Sequence, residues 1–557
     1  MNQLCFARVF GWVFAALVCG ILLPAALGAE TYEKSTHMVP MRDGVRLATD
    51  VFVPKADEAK AFPVVLARTP YNKNGSGKGL ADMVRDKGYA VVVQDMRGRF
   101  ASEGDDHVVF HNDGWAKHRD GEDTFHWLAQ QPWCNGNVGT WGGSALGIVQ
   151  NMQAPVAPDS LKAQCVIVAS SDLYQQTIYQ GGAFRKSLVE GWLKLAGFSP
   201  ANLERMLEHP GYDDFWAETN AEPMAPKVRA PAIYHGGWYD IHAQGTINSF
   251  VTIHNQGGGN AKGNCRLIMG AWAHGPLSGL KYPANEKPPK EADPVRFFDY
   301  WVRGIDNGVK DDKPVHYYVM GDPETEGAPG NFWRTADNWP PPAEAANYYL
   351  HADGTLSAEP PQGDEKRTFK YDPADPVPTV GGQNLLLPKG PMDQRSVESR
   401  GDVLVFSTEP LEKPIEVTGR ILARLYVESD RPDTDFTVKL TDVYPDGRSM
   451  LVTDGILRCR YRESFERETP MKPGKVYEIT VDLWSTSLIF NQGHRIRIAV
   501  SSSNHPRFDA NPNTGKRSHF SETKEVATNT VWMSKERPSH VVLPVYAREG
   551  DRDAEKP

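Results

Sequence analysis

The chain has 557 residues, too many for one hydrophobic core, so more than one domain is expected. Hydrophobic residues make up 40% and charged residues 24%, the balance of a globular protein, and the net charge of -9 with no long basic run argues against nucleic acid as a partner. The 14 Trp and 20 Tyr suit either aromatic-lined pockets or β-rich cores, and composition does not choose between them.

The first element reads as a targeting segment. Arg8 gives a positive start, Phe10 to Leu23 is an almost uninterrupted apolar run, and "PAALGAE" places Ala26 and Gly28 at small-residue cleavage positions. A cut after Gly28 is expected, so 1–28 is a signal peptide and the protein is exported, to the periplasm or beyond. The apolar run is short for a stable membrane anchor. Cys19 follows Val18, which is larger than the small residue a lipoprotein site prefers. The mature chain keeps Cys134, Cys165, Cys265 and Cys459 without a C-x-x-C pair, against a structural zinc site. One disulfide is permitted in an exported chain, and sequence does not assign it.

"MVPMRDGVRLATDVFVP" (38–54) predicts an antiparallel hairpin turned by Asp43-Gly44. Short apolar runs follow at 63–69, 89–96, 137–143, 163–170, 230–237 and 265–271. They read as strands buried on both faces, interleaved with helix-like segments at 121–131, 145–153, 243–255 and 293–304. Such alternation predicts an α/β domain with a doubly wound sheet. Residues 172–228 lack a convincing strand but hold helix-like stretches, and are expected to form an inserted helical cap over the sheet's C-terminal edge. The Pro/Gly-rich stretch through 392 carries little helix signal. After it, period-two runs at 417–429, 435–447, 451–461, 477–484 and 494–503 predict an antiparallel sandwich or jelly roll. The expected division is α/β domain 29–171 and 229–334, cap 172–228, and β domain 335–557.

"TWGGSALGIV" (140–149) holds a serine between glycines at a strand-to-helix junction. It differs from the G-x-S-x-G nucleophile elbow by one residue of spacing. A reactive serine needs a base, and the base needs an orienting acid. In an α/β-hydrolase these follow in the order Ser, Asp/Glu, His, each just after a strand. "APAIYHGG" runs into "WYD", ending at Asp240, and "CRLIMGA" runs into "WAHGP", reaching His274. His235 lies within a strand, and His242 and His254 in the following helical stretch, so they fit less well. For the oxyanion, the backbone N–H of Ala145 opens the helix after the serine. The earlier loop "RTPYNKNG" lacks an HGGG sequence and offers the Tyr71 phenol instead. On the residues alone Tyr71 is equally an aromatic packed under the loop. The acidic runs at 102–106 and 120–123 read as solvated loop and helix-start carboxylates rather than metal ligands, and no metal or cofactor is expected.

These stretches, together with "GYAVVVQDMRGRFASEGD" (88–105), "GGWYD" (236–240) and "FFDYWVRG" (297–304), resemble the family of cocaine esterase and X-Pro dipeptidyl-peptidase. α-Amino-acid ester hydrolases and glutaryl-cephalosporin acylases are part of the same family of serine hydrolases. The resemblance covers essentially the whole mature chain. It implies an α/β-hydrolase domain, a helical cap and a C-terminal jelly roll, with an elbow of the longer G-x-S-x-x-G spacing found here. It also implies Ser144 as nucleophile, Asp240 as acid, His274 as base, and Tyr71 with Ala145 as oxyanion hole.

Two departures stand out. Ala145 occupies the place where the family commonly has tyrosine. The carboxylates with which amino-ester hydrolases hold an ammonium group are replaced by Lys73, His242 and Ala243. That disfavours cationic acyl groups and points to neutral or anionic ones. The expected function is an exported serine hydrolase cleaving small carboxylic esters through an acyl-enzyme. Amide-bond chemistry on a short peptide-like substrate, as in a dipeptidyl-peptidase or acylase, is the alternative. A non-catalytic carbohydrate- or surface-binding protein is the third reading.

Overall fold

The apolar runs assemble into one ten-stranded sheet in the order β1-β2-β4-β3-β5-β6-β9-β10-β11-β12. The computed structural model describes residues 31–546 apart from 56–59, 85–86, 283–284, 286, 518 and 520; the signal-peptide reading lies outside this range. The hairpin of β1 (Tyr32–Pro40) and β2 (Arg46–Pro54) turns at Gly44, whose φ of 86° a residue without a Cβ adopts at no cost. β2 pairs antiparallel with β4 (Ala90–Asp95). From there the strands run parallel through β3 (Phe62–Thr69), β5 (Cys134–Gly143), β6 (Leu161–Ile167), β9 (Ala232–Tyr239), β10 (Arg266–Ala273) and β11 (Val315–Val319). β4 and β9 are buried at every position, as strands covered on both faces must be.

The covering helices are α1 (Lys73–Val84), α2 (Asp120–Ala129), α3 (Ala145–Gln153), α7 (Ala243–Gln256) and α8 (Pro294–Trp301). Of these, α1 begins inside the expected loop 68–75 and has no predicted helix, because Gly75, Gly77 and Gly79 dilute its helical signal. Gly77 lets the helix approach closely: a Cβ there would lie 3.0 Å from the Phe52 ring. The sheet also extends two strands further than the apolar runs predict, through β11 and its outer neighbour. β12 (Phe332–Ala336) pairs antiparallel with β11, so the boundary placed after 334 falls inside a strand.

Residues 172–228 are mainly helical, with α4 (Lys186–Leu195), α5 (Ala201–Glu208) and the short α6 (Asp214–Ala217). They also contain a small hairpin of β7 (Tyr179–Gln180) and β8 (Ala183–Phe184). The C-terminal part is two antiparallel sheets. One holds β13 (Glu344–Leu350), β14 (Leu356–Ser357), β15 (Asp364–Tyr371), β17 (Ile415–Ser429), β20 (Tyr477–Phe490), β22 (Ala527–Ser534) and β23 (His540–Val545). The other holds β16 (Leu404–Ser407), β18 (Asp435–Val443), β19 (Ser449–Arg458) and β21 (Arg495–Ser501). β13 to β15 lie in the Pro/Gly-rich stretch where sequence pattern shows little.

The two parts share one core. A continuous cluster of buried side chains runs from Ile148 and Met152 through Trp238 and Tyr318 to Leu425 and Val481. Their backbones also meet: Met320 N–H donates to Ser487 O at 3.0 Å, and Ile489 N–H donates to Met320 O at 2.9 Å. All four cysteines of the described residues are free, and none of the described helices is long and apolar enough to cross a membrane.

Where the chain leaves β6 for the cap, Asp172 accepts the Tyr174 N–H at 2.9 Å. Burial, and then the charge of Glu222, push its carboxyl up to about 7. The unfolded chain releases this proton near pH 4 and the folded protein near pH 7, so stability falls across that interval and levels above it. Asp172→Asn keeps an acceptor oxygen and cannot ionise. Urea unfolding followed against pH is expected to show wild type losing stability relative to this variant from about pH 4 to about pH 7. Parallel pH curves would contradict the raised carboxyl.

Candidate active site

Ser144 occupies the single residue between the end of β5 and the start of α3, with φ 56° and ψ −126°. A left-handed φ on a residue with a Cβ is strained, and the surrounding bonds hold it. Ser144 N–H donates to Ile167 O at 2.9 Å, and Ser144 O accepts from the Gly147 and Ile148 N–H groups at 2.9 Å each. Gly147 explains the long spacing of the motif. A Cβ there would sit 2.6 Å from Ala169 Cβ and 3.2 Å from Ile167 O, so α3 passes over the end of β6 only with glycine at this position.

Asp240 and His274 are each the first residue beyond their strands, β9 and β10. These strands are neighbours, and Tyr239 pairs with Ala273, so the following residues emerge side by side. His274 Nδ1–H donates to Asp240 Oδ2 at 2.8 Å. Its Nε2 lies 3.1 Å from Ser144 Oγ. A carboxylate only accepts, so Nδ1 bears a hydrogen, and in that tautomer Nε2 is the nitrogen left to accept from the serine hydroxyl. Asp240 is fully buried. Burial pushes its carboxyl up, but His274 and the His242 N–H on Oδ1 at 2.8 Å outweigh this and hold it below the ordinary range.

The rings of the other three candidate histidines stay outside this array. His235 is buried within β9, and burial pushes its imidazole down to about 3. His242 opens α7, and burial pushes it down to about 3 despite the nearby Asp240. It is therefore neutral near pH 7, and its contribution to the array is its backbone N–H. His254 lies in α7, where its ring packs on Phe250.

Tyr71 stands two residues past β3 and is half-buried. Trp192 Nε1–H of α4 donates to its hydroxyl at 2.7 Å, and the Ser144 side chain is the other hydrogen-bonding neighbour of that oxygen. Burial pushes the phenol up to about 12, against the downward pull of both neighbours. Ala145 is buried, and as the first residue of α3 its N–H has no carbonyl a turn earlier to bond.

Three contributors had no signal of their own in the sequence. Arg99 Nε donates to Pro70 O at 3.0 Å and Nη1 to Gly197 O at 2.9 Å, tying the Tyr71 loop to the cap. Lys389 Nζ donates to His274 O at 3.1 Å from the β domain. Trp192 lies in a helix that periodicity found, but nothing there pointed it at Tyr71. Arg99 stands in the "RGR" stretch (97–99), whose only signal is the family resemblance.

The reading of the acidic runs is corrected in part: Asp120, Glu122 and Asp123 do open α2 and Asp105 is exposed, but several members are paired. Asp120 is fully buried and bonds Arg97, Asp106 pairs with Arg99, and Asp123 pairs with Arg42. No cluster able to hold a metal ion occurs among the described residues.

Comparisons with known proteins show the family. Residues 43–201 and 196–276 match the X-Pro dipeptidyl-peptidase (S15) family, and residues 307–542 match the C-terminal non-catalytic domain of X-Pro dipeptidyl-peptidase. Cocaine esterase of Rhodococcus sp. (strain MB1 Bresler) is 37% identical, over 92% of this chain and 98% of that protein. Among solved structures, an α-amino acid ester hydrolase superposes with TM-score 0.77 at 28% identity, over 95% of this chain and 99% of its own. An aminopeptidase from a marine sediment Thaumarchaeota archaeon does so with TM-score 0.77 at 26% identity, with the same coverage.

Asp240→Asn would present an amide, a donor as well as an acceptor, to two N–H groups that each need an acceptor. One of them then loses its partner, or the imidazole adopts the other tautomer with its proton toward Ser144. Turnover of an activated ester is expected to fall about 10⁴-fold in a steady-state assay. A loss below about tenfold would show that Asp240 does not set the tautomer.

Proposed function

The chain belongs to the X-Pro dipeptidyl-peptidase (S15) family of serine hydrolases, which also holds cocaine esterase, and we propose on that premise that it cleaves esters of neutral acyl groups through an acyl-enzyme. The observation that carries the reading is the single array from Ser144 Oγ through the His274 ring to Asp240. In the proposed reaction His274 Nε2 takes the Ser144 proton as Oγ attacks the ester carbonyl. The resulting oxyanion is held by the Ala145 N–H and the Tyr71 O–H. His274 then gives its proton to the departing alkoxide, and water attacks the acyl-enzyme by the same route in reverse.

The acyl preference rests on charges near the site. There Lys73 bonds Asp50 Oδ1 at 2.9 Å and Asn74 Oδ1 at 3.1 Å, while the His242 ring is neutral. Neither is free to receive an anion, and the acyl group proposed is neutral for that reason. The positions where related amino-ester hydrolases carry carboxylates remain Lys73, His242 and Ala243, so an ammonium group has no partner there either. Export is part of the proposal and rests on residues 1–28 alone; N-terminal sequencing of the mature protein is expected to start near Ala29.

A fluorophosphonate probe is expected to label the protein and to fail on Ser144→Ala; an unlabelled wild type would return the non-catalytic reading. In a series of p-nitrophenyl esters, neutral acyl groups are expected to exceed anionic and cationic ones by at least about tenfold in kcat/KM. Faster cleavage of X-Pro-anilides than of any ester would move the assignment to amide hydrolysis.

A further inference from the structure

The hydroxyl of Tyr71 can accept and donate, so which way its proton points is a matter of what surrounds it. The indole of Trp192 only donates, and at 2.7 Å it occupies a lone pair of that oxygen. The phenolic proton is thereby turned away from Trp192 and is free for the side where Ser144 lies. We propose that Trp192, a residue of the cap, is a positioning residue for the reaction: it orients the Tyr71 hydroxyl so that its proton meets the oxyanion.

The indole is held for this task. Trp192 is nearly buried, its ring lies parallel to Phe110 at 6.0 Å and packs on Phe198 at 4.9 Å. The Arg99 guanidinium sits 4.1 Å from the Phe198 ring centre. The same Arg99 grips Pro70 O, one residue before Tyr71, and Gly197 O, just past α4. Donor and acceptor are thus fixed to each other through one side chain. A hydrogen bond received by a hydroxyl also polarises its own O–H, making it a better donor to developing negative charge. The consequence is a one-way array. Trp192 at one end can only give, Asp240 at the other can only accept, and Tyr71, Ser144 and His274 lie between them.

The inference rests on Tyr71 as an oxyanion donor, and the experiment separates the two. Trp192→Phe keeps an aromatic ring and removes the N–H. Replacing Trp192 by β-(3-benzothienyl)alanine keeps the bicyclic shape and also cannot donate, which covers a failure of the first variant to fold. Both are assayed with a neutral p-nitrophenyl ester, alone and combined with Tyr71→Phe. The expected result is a fall in kcat of about tenfold for either variant with KM changed less than about twofold. In the Tyr71→Phe background the same changes are expected to alter kcat less than about twofold, because the hydroxyl they act through is gone. An equal loss in both backgrounds, a rise confined to KM, or no loss at all would overturn the role given to Trp192. If Tyr71→Phe itself leaves kcat unchanged, the oxyanion reading of Tyr71 fails instead.

Discussion

A fully buried carboxylate, that of Asp240, sets the terms for everything around it. Removing such a charge from water costs several kcal/mol unless hydrogen bonds and opposite charge compensate. Its two oxygens are taken by the His274 ring and the His242 N–H. Two buried cations stand further back, and each clamps a backbone carbonyl beside the array. Arg185 of the cap donates to Ile241 O at 3.0 Å, and Lys389 of the β domain donates to His274 O at 3.1 Å. Burial pushes both cations down, Arg185 to about 9, while the charge of Asp240 pulls both back up. Sheet, cap and β domain therefore meet at one negative charge.

The strain at Ser144 follows from the same economy. The serine has to stand above the sheet edge, within reach of a ring whose place is fixed by Asp240 below it. A left-handed φ does this in one residue, and the Ser144 N–H bond to Ile167 O with the two bonds to its carbonyl resist relaxation. The extra residue before the closing glycine is then a packing matter: Gly147, rather than the residue before it, faces Ala169.

Strand ends were legible in the sequence because buried parallel strands are written as short apolar runs, and Asp240 and His274 follow two of them directly. The Ser144 turn was legible because its glycines are local. What escaped is what depends on distant chain. α1 is poor in helix formers of its own and packs against β2 and β4, and β13 to β15 gain strand character from partners such as β22 and β23. Arg99, Trp192 and Lys389 act on groups dozens to more than a hundred residues away, and no spacing rule reaches that far. The neutrality of His242 was equally invisible, since it comes from burial rather than from neighbours in the chain.

The β domain carries more than its own fold. Gln383 Nε2–H donates to Trp238 O at 3.1 Å and the Tyr239 hydroxyl donates to Leu451 O at 3.2 Å, bracing the last turn of β9 just before Asp240. Just after it, Gln244 Oε1 accepts from the Ser485 N–H and hydroxyl at 3.0 and 2.9 Å. With Lys389 on His274 O, the β domain touches the chain on both sides of the acid and at the histidine itself. A carboxylate–imidazole contact has to be held within a few tenths of an ångström to orient a proton, and loops at a sheet edge do not hold themselves that well. A domain matched to a non-catalytic one thus supplies the outer half of the frame around Asp240 and His274, which is a physical reason for the two parts to share one core.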